Sequence, residues 1–153
     1  MARAYVGLGA NLGSREENIR RAVELLASEE GVEVMAVSEL RETDPVGVVD
    51  QPRFLNGAVA LETSLEPRAL LDVMLRIESD LGRVRDGTRW GPRTVDLDLL
   101  AYADRVVNEP GLRIPHPRVH ERLFALEPLA ELDPDLEIPG RGRVSELLAA
   151  LDG

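Results

Sequence analysis

Arg89-Trp90-Gly91-Pro92-Arg93-Thr94-Val95-Asp96-Leu97-Asp98-Leu99-Leu100 changes character halfway. Its first half is cationic and stiff, with Arg89 and Arg93 around Trp90 and Pro92. Its second half alternates apolar and acidic residues, the pattern of a half-buried strand. Successive strand side chains point to opposite faces, so Val95, Leu97 and Leu99 face one way and Asp96 and Asp98 the other. At about 3.3 Å rise per residue, the two aspartates stand about 6.6 Å apart at Cα on one face. Paired carboxylates repel unless something cationic lies between them. The solvated face of an ordinary strand shares this pattern, but the segment ahead of it is hard to explain by solubility. Arg83, Arg85, Arg89 and Arg93 stand there against the single acid Asp86, in a chain of net charge −10. Magnesium, which binds through one or two carboxylates plus substrate phosphates, suits the aspartates, and guanidinium forks suit the phosphates. The local reading is a metal–phosphate site.

Length and composition narrow the classes around that site. A chain of 153 residues with 44% hydrophobic and 30% charged residues suits one globular domain, 1–153. No apolar run approaches the roughly 18 residues of a membrane span, and no signal-peptide core opens the chain. There is no cysteine, hence no disulfide, thiol nucleophile or thiolate metal site. The expected compartment is the cytoplasm. Every basic residue is arginine, which excludes a P-loop lysine and a lysine base. The negative net charge argues against nucleic-acid partners.

Outward from the central stretch, the chain punctuates itself. Residues 4–9 read as a short buried strand. Gly7-Leu8-Gly9-Ala10-Asn11-Leu12-Gly13 has its third glycine one residue late for a dinucleotide fingerprint, and the plainer role is a tight strand-to-helix turn. Ser14 and Glu17 have capping-box spacing, and Ile19, Ala22, Val23 and Leu26 make one apolar helix face up to Gly31. Residues 32–40 read as a second strand, residues 43–52 as a loop with two prolines, and residues 54–63 as a third strand. Asn56 is polar in an apolar strand, and its amide can serve the edge of a heterocycle. Pro67 suits a first helical turn and Gly82 a helix end, with Leu70, Leu71, Met74, Ile77 and Leu81 facing inward. Glu78 lies beside that face, equally a boundary residue or a nucleotide contact. Trp90 suits core packing or stacking on a flat ligand. A hairpin-like piece spans 105–113. His116 and His120 are four apart, but H-E-x-x-H is absent and Pro117 intervenes, which disfavours zinc. Residues 125–153 read as structural, with Leu126, Leu129 and Leu132, a turn at Pro139-Gly140, and an apolar stripe of Val144, Leu147, Leu148 and Leu151. The order strand–helix–strand–strand–helix–strand with an extra C-terminal helix is the split βαβ pattern of ferredoxin-like α+β folds.

Several of these motifs together resemble one family. The stretch 89–100, the opening Gly9-Ala10-Asn11-Leu12-Gly13, the segment Asp50-Gln51-Pro52 with Phe54-Leu55-Asn56, and Pro115-His116 with Arg122 and Phe124 are similar to 6-hydroxymethyl-7,8-dihydropterin pyrophosphokinases. The likeness spans roughly residues 4–138. It implies a four-stranded antiparallel sheet flanked by helices, and transfer of a diphosphate from ATP to a pterin alcohol in folate synthesis, with release of AMP. By the same resemblance, Asp96 and Asp98 would hold two magnesium ions, and Arg83, Arg85 and Arg93 would stabilise the phosphates. Thr43, Val46, Phe54, Asn56, Trp90 and Phe124 would enclose the pterin, with the ring between Phe54 and Phe124. Glu78, Leu99, His116 and Arg122 would line the ATP site. The chain departs from the family at Leu75, where a polar nucleotide contact can stand, at Asp44, where a second proline is common, and at Gly111, where a basic residue can reach ATP and Arg113 would compensate. The expected partners are ATP and the pterin alcohol, with the chain a monomer or weak homodimer.

Two other classes compete. A non-catalytic ATP- and metal-binding sensor of the same fold would have no reason to keep Asn56 and two aromatics beside the site. An RNA-recognition domain would need exposed aromatics and a basic face, against 3% aromatics and a charge of −10.

Overall fold

The first strand, β1 (Ala2–Ala10), runs inside the sheet with a strand on either side, and its two faces differ. Ala4, Val6, Leu8 and Ala10 form one apolar face, while Tyr5, Gly7 and Gly9 lie on the other. The computed structural model describes residues 1–11, 13–43, 53–82 and 94–152. After β1 come α1 (Arg15–Ser28), β2 (Val32–Val37), β3 (Arg41–Thr43), β4 (Phe54–Thr63), α2 (Pro67–Leu81) and β5 (Asp96–Tyr102). The sheet order is β2-β4-β1-β5, antiparallel at every junction, and β3 pairs with β4 further along the edge that β2 occupies. This is the ferredoxin-like arrangement expected from the element order. Beyond it stand the hairpin β6 (Val107–Glu109) and β7 (Leu112–Ile114), helix α3 (Leu123–Leu132), the short pair β8 (Glu137–Ile138) and β9 (Gly142–Arg143), and α4 (Val144–Asp152). Among the described residues, no helix is long and apolar enough to cross a membrane.

The sheet has a core on each face. Val6, Leu8, Val59, Leu61, Leu97 and Leu99 meet Ile19, Ala22 and Leu26 of α1 and Leu70, Met74 and Ile77 of α2. Tyr5, Ala58, Ala60, Leu100 and Ala101 meet Leu126 and Leu129 of α3 and Val144 of α4. A bulge in β5 makes the second core possible. Leu99 pairs with Val6 and Ala101 with Tyr5, leaving Leu100 as the extra residue. Leu100 and Ala101 therefore both enter the α3 side, and Tyr102 returns to the α1–α2 side. Fully buried leucines such as Leu61 and Leu126 each contribute roughly 1.5–3 kcal/mol through burial.

Several local details differ from, or refine, what the sequence suggests. The second strand ends at Val37, and β3 forms inside the stretch that reads partly as loop. Gly7 and Gly9 belong to β1 rather than to a turn; the glycine with positive φ in that region is Gly13, at 68°. Ser14 caps α1 without a side-chain hydrogen bond, and the Glu17 carboxylate pairs with Arg20, so the expected capping box does not form. Gly82 ends α2 as expected, but at φ −102°, outside the left-handed region, and its role is one of space: a Cβ there would stand 2.6 Å from the Glu78 carbonyl oxygen.

Candidate active site

Two hollows flank β5. The first lies over β1, on the face covered elsewhere by α3. Gly7 and Gly9 form its floor because they carry no side chain on that face. Phe54 and Asn56 of β4, Asp96, Asp98 and Leu100 of β5, and Arg122, Phe124 and Ala125 at the start of α3 surround a space of about 110 Å³. Asn56 is 8% exposed. Its Nδ2 donates to the Thr43 hydroxyl, and its Oδ1 hangs over Gly9, where an added Cβ would stand 3.0 Å away. The Arg122 guanidinium lies 5.4 Å from the centre of the Phe124 ring, a cation–π distance.

The second hollow, of about 260 Å³, runs along the outer edge of β5. Leu71 of α2, Leu97, Asp98 and Leu99 of β5, Leu112 and Arg113 of β7, and His116 line it. Asp98 borders both hollows. Among the described residues no strand lies beyond this edge, and a Glu78 carboxylate oxygen accepts the Leu97 N–H at 2.7 Å. His116 is tied in by its backbone N–H to the Leu100 carbonyl at 3.0 Å. Its Nδ1 accepts the Arg118 N–H at 3.1 Å, which leaves the imidazole proton on Nε2. Burial, reinforced by the Arg122 and Arg118 guanidiniums, holds its pKa below the usual histidine value. Most described arginines face a carboxylate, as Arg3 does Glu62 and Arg68 does Glu109. Arg113 and Arg122 make no ion pair among the described residues.

Asp96 and Asp98 share one face of β5 and line the first hollow together. Among the described residues, no group of three or more His, Cys, Asp or Glu could hold a metal by itself. Two hard carboxylates fit an ion that takes the rest of its shell from water and a phosphate substrate. Phe54, Asn56 and Phe124 line the first hollow together, with Thr43 behind Asn56. Leu99, Arg113 and His116 meet in the second hollow. Arg122, expected on ATP, lines the first hollow beside Phe124, and Glu78 is engaged with the β5 backbone behind the second. Val46, Arg83, Arg85, Trp90 and Arg93 lie outside the described residues. Sequence reasoning missed Gly7, Gly9 and Leu100. The available signal was parity: the two glycines fall on the face of β1 opposite its apolar residues.

A model of the 7,8-dihydro-6-hydroxymethylpterin-pyrophosphokinases matches residues 5–134. The chain belongs to that family. A 2-amino-4-hydroxy-6-hydroxymethyldihydropteridine pyrophosphokinase of Methylorubrum extorquens is 51% identical over 152 residues, covering 99% of this chain and 95% of that protein. One from Pseudomonas aeruginosa is 47% identical over 148 residues, covering 97% and 91%. A crystal structure of Plasmodium falciparum HPPK-DHPS superposes with a TM-score of 0.77 at 14% identity, over 97% of this chain and 45% of the longer one, a likeness of fold. The reaction is the transfer of a diphosphate from ATP to the hydroxymethyl group of 6-hydroxymethyl-7,8-dihydropterin, a step of folate biosynthesis.

Proposed function

We propose that the pterin occupies the hollow over β1, that ATP occupies the hollow along β5, and that the diphosphate crosses beside Asp98. The observation that carries this reading is the position of Asp98 on the border of both hollows. Phe54 and Phe124 flank the flat ring, and the Asn56 amide, oriented by Thr43, serves its polar edge. Leu71, Leu99 and Leu112 supply apolar surface for the nucleotide. Arg113, the His116 Nε2–H and Arg122 present donors to the polyphosphate, and Glu78 keeps the β5 edge in place. Val46 and Trp90 belong with the pterin in this reading, and Arg83, Arg85 and Arg93 with the phosphates.

The hydroxymethyl oxygen attacks the β-phosphorus, the bond from that phosphorus to the α–β bridging oxygen breaks, and AMP leaves with the electron pair. The hydroxyl proton goes to Asp96 or Asp98. Such a transfer depends on alignment and charge more than on covalent help, which fits a site of oriented donors. Asp96 and Asp98 are the residues that would hold two magnesium ions. When bound there, magnesium supplies neutralisation of the polyphosphate charge. We further propose that the chain, 1–153, works as one cytoplasmic domain, a monomer or weak homodimer, on these two small molecules without nucleic acid or membrane. Its charge of −10, which repels a phosphate backbone, supports the nucleic-acid part.

The test mixes the protein with ATP, magnesium and the pterin alcohol and separates the nucleotides. AMP formed only when pterin is present is the expected result. ADP would overturn the proposed alignment on the β-phosphorus. ATP binding without turnover would favour a sensor.

A further inference from the structure

Arg15, the first residue of α1, reaches across to the sheet. Its guanidinium donates to the backbone carbonyl of Arg53 at 2.7 Å and to Glu42 Oε1 at 2.6 Å. The same carboxylate takes the Arg53 guanidinium at 3.3 Å. One side chain thus ties the end of β3 to the start of β4. Among the described residues, three pairs join these strands: Arg41 with Asn56, Glu42 with Leu55, and Thr43 with Phe54. So short a ladder at a sheet edge frays unless side chains pin it. By alternation, Glu42 falls on the α1 side, and Arg41 and Thr43 fall on the other. There Arg41 is fastened to Glu131 of α3 at 2.9 Å. Neither Arg15 nor Glu42 lines the hollow over β1.

We propose that Arg15 and Glu42 are positioning residues for the pterin. They fix the end of β3, β3 fixes the Thr43 hydroxyl, and that hydroxyl orients the Asn56 amide above Gly9. The proposal rests on the pterin occupying that hollow. The fork matters: one planar guanidinium satisfies a carbonyl and a carboxylate together, which a lysine ammonium on a flexible stem does not reproduce. The Arg15 hydrogen bond and charge hold the Glu42 carboxyl below its usual pKa, so the pair is intact at neutral pH.

The test compares Arg15→Ala, Glu42→Ala and the double variant with Asn56→Ala. It measures equilibrium binding of pterin, binding of a non-hydrolysable ATP analogue, and Tm for each. Each single clamp variant is expected to weaken pterin binding about five-fold, with ATP-analogue affinity unchanged. The double variant is expected to match the singles, because both remove one network. Arg15→Lys should recover only part of the loss. If Asn56→Ala weakens pterin binding while the clamp variants leave it at wild type, the clamp proposal is overturned and the pterin site stands. Equal losses of pterin and ATP-analogue binding with a lowered Tm would also overturn it, by making the network a general brace. Should Asn56→Ala leave pterin binding unchanged, the site assignment falls, and the clamp with it.

Discussion

The Glu78 carboxylate accepts the Leu97 N–H at 2.7 Å, so a helix side chain closes the sheet edge midway between Asp96 and Asp98. An edge strand with an unsatisfied N–H there would be free to twist, and the aspartates would move with it. Glu78→Ala is expected to cost about 1–3 kcal/mol in denaturant unfolding, the range for leaving a partly buried donor unpaired. Glu78→Gln keeps an acceptor oxygen and should lose less than about 1 kcal/mol. Equal losses in the two would mean that packing, rather than the hydrogen bond, accounts for Glu78.

The floor glycines give a sharper test of the proposal that the hollow over β1 takes the pterin. A Cβ on Gly9 would stand 3.0 Å from Asn56 Oδ1 and 3.8 Å from the Asp96 Cβ. Gly9→Ala should therefore displace the amide, raising the pterin KM about ten-fold while the ATP KM holds. A pterin KM at the wild-type value would show the hollow to be elsewhere.

Asp96→Ala and Asp98→Ala should each cut turnover by about 10³-fold or more while cooperative unfolding persists. Asp98 borders both hollows, so its loss should reduce magnesium-dependent binding of the ATP analogue as well. Wild-type turnover in either variant would remove the metal–phosphate reading. Calorimetric titration with and without magnesium supplies the second readout.

Phe124 lines the first hollow beside Arg122, whose guanidinium lies over its ring. Phe124→Ala should weaken pterin binding and spare ATP, since the second hollow does not include the ring. A parallel loss of both substrates would indicate collapse of the α3 start.

His116 predicts a pH dependence of stability. Its folded pKa lies below its ordinary value of 6.5, chiefly through burial. As pH falls below that value, the unfolded chain takes up a proton that the folded chain resists, so stability drops until the folded pKa is reached. Protonation at Nδ1 would also set two donors against each other at Arg118. His116→Asn should flatten the fall in Tm between about pH 7 and pH 5. An unchanged slope would assign the acid sensitivity to other groups.

The sequence made β5 readable because alternation survives in it as far as Leu99, and the aspartates fall where that alternation puts them. Helix α2 was equally clear, from Pro67 in its first turn to its inward leucines. Strand β3 was not readable, because three residues have no period and are held by distant partners such as Arg15 and Glu131. The bulge at Leu100 depends on register against β1, which no local pattern encodes. Gly7 and Gly9 fall in the expected strand, but why glycine stands there was not readable, because that reason is what lies opposite it. The Ser14–Glu17 spacing forms no capping box: the Ser14 side chain makes no cap hydrogen bond, and the Glu17 carboxylate goes to Arg20, one turn on. Glu78 was ambiguous by spacing, and only the edge position of β5 explains its engagement.

A floor made of backbone also bears on inhibition. Gly7 and Gly9 offer a bound ring only main-chain atoms, and Asn56 and Leu100 already crowd the space that a side chain there would fill. A compound resting flat on this part of β1 touches atoms that no point mutation deletes. If the pterin sits there as proposed, drug resistance would have to arise at the rim, through Phe54 or Phe124, the rings that flank the natural substrate in that reading.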